Sequence, residues 1–254
     1  MISRKFKKVL FSVVSAVLCV TMILGVSASA AKNTVWSDTK ALTSAKYNSN
    51  YIKWLEKYGE KEAKNTVSFS KSRTKKFYEN QLKAFNSKEP QFLANIIDKD
   101  NIISVAYKGQ KIKTVAYEDG TGVAIYMDPD KMTLLSVADK QKITMPMTED
   151  LGYEDMIDEM VGTFMTFDND DYMSDDLGVT DKTKGKLFKF KSNDKIYYYE
   201  EFEGSKSGKF SFLFNSSGNP VAMSADGLSV CFSVSFKVKD SEFDIPKGYT
   251  DIEI

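Results

Sequence analysis

The sequence predicts an α+β fold: a large curled antiparallel β-sheet, a half-barrel, covered on its concave face by a few helices. Three observations predict it. From Gln91 onward, about eleven short β-prone runs with a period of two follow one another, separated by turn-forming residues. Helical spacing of apolar residues occurs in only three stretches. The strands carry one bulky face: from Leu228 to Val238 the even positions read Leu, Val, Phe, Val, Phe, Val, against Ser229, Cys231, Ser233, Ser235 and Lys237. So much apolar strand under so few lids must curl to cover itself.

In chain order, "MISRKFKK" is a basic leader, "VLFSVVSAVLCVTMILGV" is apolar, and "SASA" ends in the small-x-small pattern of a signal peptidase site. Residues 1–30 therefore read as a signal peptide cleaved after Ala30, and the mature protein as secreted, extracellular or cell-wall associated. A membrane anchor is the competing reading of the same run, but the Ala28-Ser29-Ala30 site favours cleavage and no later segment is apolar enough to span a bilayer. Lipidation at Cys19 is disfavoured by the preceding Leu18. Residues 31–47 form a polar exported spacer, and 48–254 a single α+β domain.

The first helix is expected from Ser49 to Glu62, with Ser49 or Asn50 as N-cap and Tyr51, Ile52, Leu55 and Tyr58 as its apolar stripe, Trp54 beside them. A second runs from Arg73 to Phe85 behind a Ser70 or Ser72 cap, placing Phe77, Tyr78, Leu82 and Phe85 on one side. The strands "QFLANII", "IISVAY", "KIKTVAY", "GVAIYM", "MTLLSVA" and "KITMPM" follow as a meander. A third helix is expected at 154–164, where Met156, Ile157, Met160, Val161 and Phe164 make a stripe. The strands "KLFKFK", "KIYYYEEFE", "GKFSFLFN", "PVAMSA" and "LSVCFSVSFKV" complete the chain.

Composition excludes several functions. The chain contains no histidine, which removes Ser-His-Asp and Cys-His catalysis and nearly all zinc sites. An enzyme would have to be a carboxylate hydrolase, and no pair of acids stands out by spacing, so no catalytic residue and no cofactor is assigned. Loss of Arg4, Lys5, Lys7 and Lys8 with the leader leaves the mature chain four charges negative, which disfavours nucleic acid as a partner. One cysteine, Cys231, survives cleavage, so no internal disulfide forms, and without a basic neighbour to activate it the residue reads as inert.

Between Phe167 and Gly178, "FDNDDYMSDDLG" packs five aspartates into nine positions. An EF-hand loop starting at Asp168 fails at Tyr172, Met173 and Val179, where Asp or Asn, Gly and Glu are needed. A looser metal site from Asp168, Asp170 and Asp176 stands against a solvated link that like charges keep extended.

The meander "VAYKGQKIKTVAYEDGTGVAIYMDPDKMTLLSV", one interrupting helix, further strands and the closing "DIPKGYTDIEI" together resemble the LolA-like superfamily, over about Ser72 to Ile254. That group includes outer-membrane lipoprotein carriers, the LppX and LprG lipid-binding lipoproteins and the RseB stress sensor. The resemblance implies a convex sheet closed by helices around a hydrophobic cavity, with no chemistry and no cofactor. The carriers' cavity arginine has no counterpart here, because Arg73, in the second helix, is the only arginine after the leader.

The expected function is therefore a secreted, non-enzymatic binding protein holding a lipid or other hydrophobic ligand between sheet and helices. Its expected lining, from periodicity, is Met156, Met160, Phe164, Phe210, Phe212, Phe232 and Phe236. The alternative is a cell-surface sensor or scaffold module that binds another protein, with these side chains simply filling the core.

Overall fold

Two helices and thirteen strands are present among the residues that this computed structural model describes, 42–43, 46–99, 101–118, 121–137, 139–147, 177–225 and 227–252. The chain gathers into two compact units. Among the described residues, 46–87 and 177–234 belong to the first, and 42–43, 88–147 and 235–252 to the second.

The first unit begins with helix α1, Ser49–Glu60. Its N-cap is Asn48, ahead of the expected Ser49 or Asn50, and its side chain accepts from the Asn50 N–H at 3.1 Å. Strand β1 (Asn65–Ser68) and a 3₁₀ turn at Phe69–Lys71 lead into helix α2, Arg73–Phe85. Ser72 caps α2, accepting from the Lys75 N–H at 2.9 Å while donating to the Phe69 carbonyl at 2.7 Å. The remaining strands are β8 (Lys184–Ser192), β9 (Lys195–Gly204), β10 (Gly208–Asn215), β11 (Pro220–Ala225) and β12 (Leu228–Ser235). They pair antiparallel in the order β1, β8, β9, β10, β11, β12.

The two helices take opposite faces of these strands. Leu55 of α1 packs on Tyr197, Tyr199, Leu213 and Ala222, with Trp54 and Tyr58 against Phe188 and Phe190. Arg73, Thr74 and Phe77 of α2 meet Glu200 and Phe212 instead. Tyr199 and Glu200 are neighbours in β9, as are Phe212 and Leu213 in β10, and strand neighbours point to opposite sides. The sequence suggested lids sharing one face; here each face has its own, and β10 is buried on both sides from Phe210 to Phe214. At the end of β9, Gly204 is required by a close approach: a Cβ there would collide with the Leu177 carbonyl.

The second unit is the expected meander: β2 (Gln91–Ile97), β3 (Ile102–Lys108), β4 (Lys111–Glu118), β5 (Thr121–Met127), β6 (Lys131–Ser136) and β7 (Gln141–Pro146) pair successively antiparallel. The short β13 (Thr250–Asp251) adds to β7 in parallel, which no period-two pattern announces. One face is a cluster of Ile112, Val123, Ile125, Met127, Met132 and Leu134, extended by Tyr107, Met145 and Met147. The other face receives the C-terminal segment: Val238 N–H donates to Gln91 Oε1, Lys108 pairs with Asp240 at 2.8 Å, and the buried Lys113 meets Glu242 at 3.3 Å.

Candidate functional site

The expected ligand lining separates into three groups. Met156, Met160 and Phe164 lie outside the described residues, as does the whole third helix. Phe210, Phe212 and Phe232 belong to the first unit, and Phe236 is half-buried in the second. Phe212 has Phe77, Phe214 and Phe232 at ring-centroid distances of 5.9, 5.7 and 6.2 Å, and Phe210 has Phe202 at 6.0 Å. These are the separations of packed aromatic pairs. Between α2 and the sheet, ring sits on ring.

The remaining sequence candidates contribute less. Asp168, Asp170 and Asp176 lie outside the described residues, and among the described ones no group of three or more potential ligands could hold a metal ion. Cys231 is buried on the face that α1 covers; its sulfur accepts from the Asn48 N–H at 3.3 Å, and burial pushes the thiol pKa up. Among the described residues, no helix is long and apolar enough to cross a membrane.

A cleft in the first unit, which sequence reasoning did not anticipate, offers a different kind of site. It has a volume of about 340 Å³, opens to solvent beside the C-terminal end of α1, and is bounded by Glu56, Gly59, Glu60, Tyr199, Glu201, Lys209 and the hydroxyls of β10 to β12. Strand register builds its floor. Lys186 of β8 stands opposite Glu201 of β9, Glu201 opposite Ser211 of β10, Ser211 opposite Ser224 of β11, and Ser224 opposite Ser229 of β12. Adjacent strands are about 4.8 Å apart, so these side chains form one polar row across five strands.

The row is fixed by hydrogen bonds. Tyr199 donates to Glu201 Oε2 at 2.5 Å, Lys186 pairs with Glu201 Oε1 at 3.0 Å and donates to the Gly59 carbonyl at 2.8 Å, and Ser229 donates to Ser224 at 3.0 Å. Burial raises the Tyr199 pKa, and its bond to Glu201 raises it further, so the phenol stays a donor. Gly59 completes the opening. A Cβ there would meet only the Tyr199 hydroxyl at 3.4 Å and Glu201 Oε2 at 3.8 Å, ordinary contacts, and its φ is not in the left-handed region. Neither backbone strain nor close packing demands glycine at this position; its effect is to leave that pair facing open space.

Comparison with known proteins adds little. No family model matches the chain, and no curated protein matches it. Among solved structures, an uncharacterized conserved protein from Thermus thermophilus aligns with a TM-score of 0.30 and 6% identity, over 70% of this chain and 98% of that one. A likeness at that level carries no argument about this chain.

Proposed function

We propose that the protein is an exported, non-enzymatic binding module that meets its partner on its surface, in the manner of a cell-surface sensor or scaffold. The carrying observation is the packing around Phe212. The rings expected to line a lipid cavity contact one another and the helix above them, so a ligand entering there would have to displace core. α1 supports the same reading on the opposite face, where Trp54 lies at 4.9 Å from Tyr197 and Tyr58 at 4.6 Å from Phe190. Native mass spectrometry of the gently purified mature chain tests it. The expected spectrum is that of the bare polypeptide, with a discrete product from crosslinking on intact cells; adducts of lipid mass retained by the folded protein would overturn the reading.

A hydrophobic ligand, as the LolA-like resemblance implies, is the second reading, and one observation favours it. The Ile112, Met127, Met132 and Leu134 face, with Met145 and Met147 at its margin, is rich in methionine, which adapts to irregular apolar partners. Uptake of a fluorescent fatty acid that Met127→Lys abolishes would favour this reading over the first.

A further inference from the structure

We propose that the cleft beside α1 binds a neutral, polyhydroxylated ligand, a carbohydrate of one or two sugar units. This rests on the surface-binding reading and names its ligand class. Four ligand chemistries can be set against the lining. An apolar group would find Leu55 and Phe210 in the lining, but it would strip water from the Ser224 and Ser229 hydroxyls and from the Tyr199–Glu201 pair without replacing it. An anion would face Glu56, Glu60 and Glu201 together. An organic cation would meet Lys209, while the most buried of the three carboxylates, Glu201, is already neutralised by Lys186.

A neutral polyol avoids all three penalties, because each of its hydroxyls both donates and accepts. Carboxylates of Glu56 and Glu60 accept from such hydroxyls, and Lys209 and the two serines donate to them. The spacing suits this ligand too. A row of hydroxyls repeating at the strand separation presents partners at intervals that substituents around a sugar ring can bridge directly or through one water. The Ser229–Ser224 pair at one end of the row and the Tyr199–Glu201–Lys186 group at the other are each held before any ligand arrives, so little ordering is needed on binding. Gly59 is the independent observation: of the α1 residues lining the cleft, the one that stands over the Tyr199–Glu201 pair has no side chain, while Glu56 and Glu60 beside it carry theirs.

The test is titration of the full mature chain with cellobiose and chitobiose, followed by calorimetry and by saturation-transfer NMR, with lysine methyl ester and octanoate as cationic and apolar probes. At least one disaccharide should bind in the millimolar range or tighter. Gly59→Leu, which puts a side chain into the cleft, and Ser224→Ala/Ser229→Ala, which removes two donors, should each weaken that binding about tenfold or more, the loss of one to two hydrogen bonds. Both variants should retain the parent's far-ultraviolet circular dichroism; should one of them fail to fold, the other decides. Binding of neither disaccharide, binding confined to lysine methyl ester or octanoate, or disaccharide binding unchanged in a folded variant would overturn the proposal. With no sugar bound and a lipid-free native mass, the ligand class fails and surface binding stands; a retained lipid removes both.

Discussion

Glu200, in the middle of β9, accepts the backbone N–H of Thr74 at 3.0 Å and the Thr74 hydroxyl at 2.9 Å, so a carboxylate with no exposure to solvent caps the start of α2 from across the fold. Its other oxygen takes the Arg73 N–H at 3.1 Å and the Arg73 guanidinium at 3.4 Å, and that guanidinium stacks 3.4 Å above the Tyr198 ring. Every lone pair of the buried carboxylate has a donor, two of them at a positive helix terminus. Glu200→Ala should cost about 3 to 5 kcal/mol, and Glu200→Gln less, since it keeps one acceptor. Urea denaturation of the two variants checks the order; equal losses would mean that the charge matters and the acceptor geometry does not.

The packing of Phe212 makes a separate prediction. Phe212→Ala should lower stability by about 3 to 5 kcal/mol, and Phe212→Leu by about 1 to 2, because the neighbouring Phe77, Phe214 and Phe232 rings cannot close the space. In a ligand-filled cavity the same truncation would change ligand affinity with a smaller effect on the apo protein. Thermal melts with and without added fatty acid separate the two.

The β8–β9 hairpin turns on Asn193 and Asp194, with φ of 46° and 60°, between the paired Ser192 and Lys195. Two consecutive left-handed residues define a type I′ turn, in which glycine is favoured at the second position. Asp194→Gly should therefore stabilise by about 0.5 to 1 kcal/mol, even though it removes the Lys191–Asp194 ion pair at 2.7 Å. Both partners of that pair are exposed and contribute only about 0 to 1 kcal/mol, with salt screening it further. A shift of the chemical denaturation midpoint to higher urea is the expected outcome.

How much of this was legible in the sequence follows from which forces are local. Helix α2 falls where its stripe and Ser72 place it, and the six-strand meander follows its turns, because period, cap and turn chemistry act over a few residues. The cap of α1 is Asn48, not the expected Ser49 or Asn50, because the Asn48 amide oxygen reaches the Asn50 N–H. The assignment of helices to faces was not legible. "FSFLF" and "YYYEEF" alternate in a way that shows two faces but not which partner covers each, and in β10 both turn out to be buried. β1 escaped notice because Asn65 and Thr66 are exposed and its pattern has no period. The cleft escaped for a related reason. Glu201, Ser211, Ser224 and Ser229 are widely separated in the chain, and only register aligns them. A glycine in the last turn of an otherwise well-patterned helix was the one local signal.

Alkaline pH should reveal the buried polar groups of both units. Burial lowers the Lys113 pKa from 10.5, outweighing the opposing effects of Glu242, so the folded chain releases that proton before the unfolded chain does. Between the lowered value and about 10.5 the unfolded state holds more protons, and stability rises with pH. Tyr126 and Tyr199 act in the opposite sense. Burial first, and then neighbouring acidic groups, raise both phenols above 10.0, so from about pH 10 the unfolded chain ionises first and stability falls as pH climbs. The buried Cys231 thiol, raised from 9.0, joins the falling side from about pH 9, so it is urea midpoints of the Cys231→Ser chain that should pass through a maximum near about pH 10. Lys113→Met keeps the apolar stem and removes the titrating amine, so it should flatten the rising limb and leave the falling one. Phenolate absorbance from Tyr126 and Tyr199 should appear only as the chain unfolds, and the Tyr126→Phe/Tyr199→Phe double variant should have a shallower falling limb; an undiminished one would show that other groups, among them Tyr51, Tyr58 and Tyr107, whose phenols burial also raises, control alkaline unfolding.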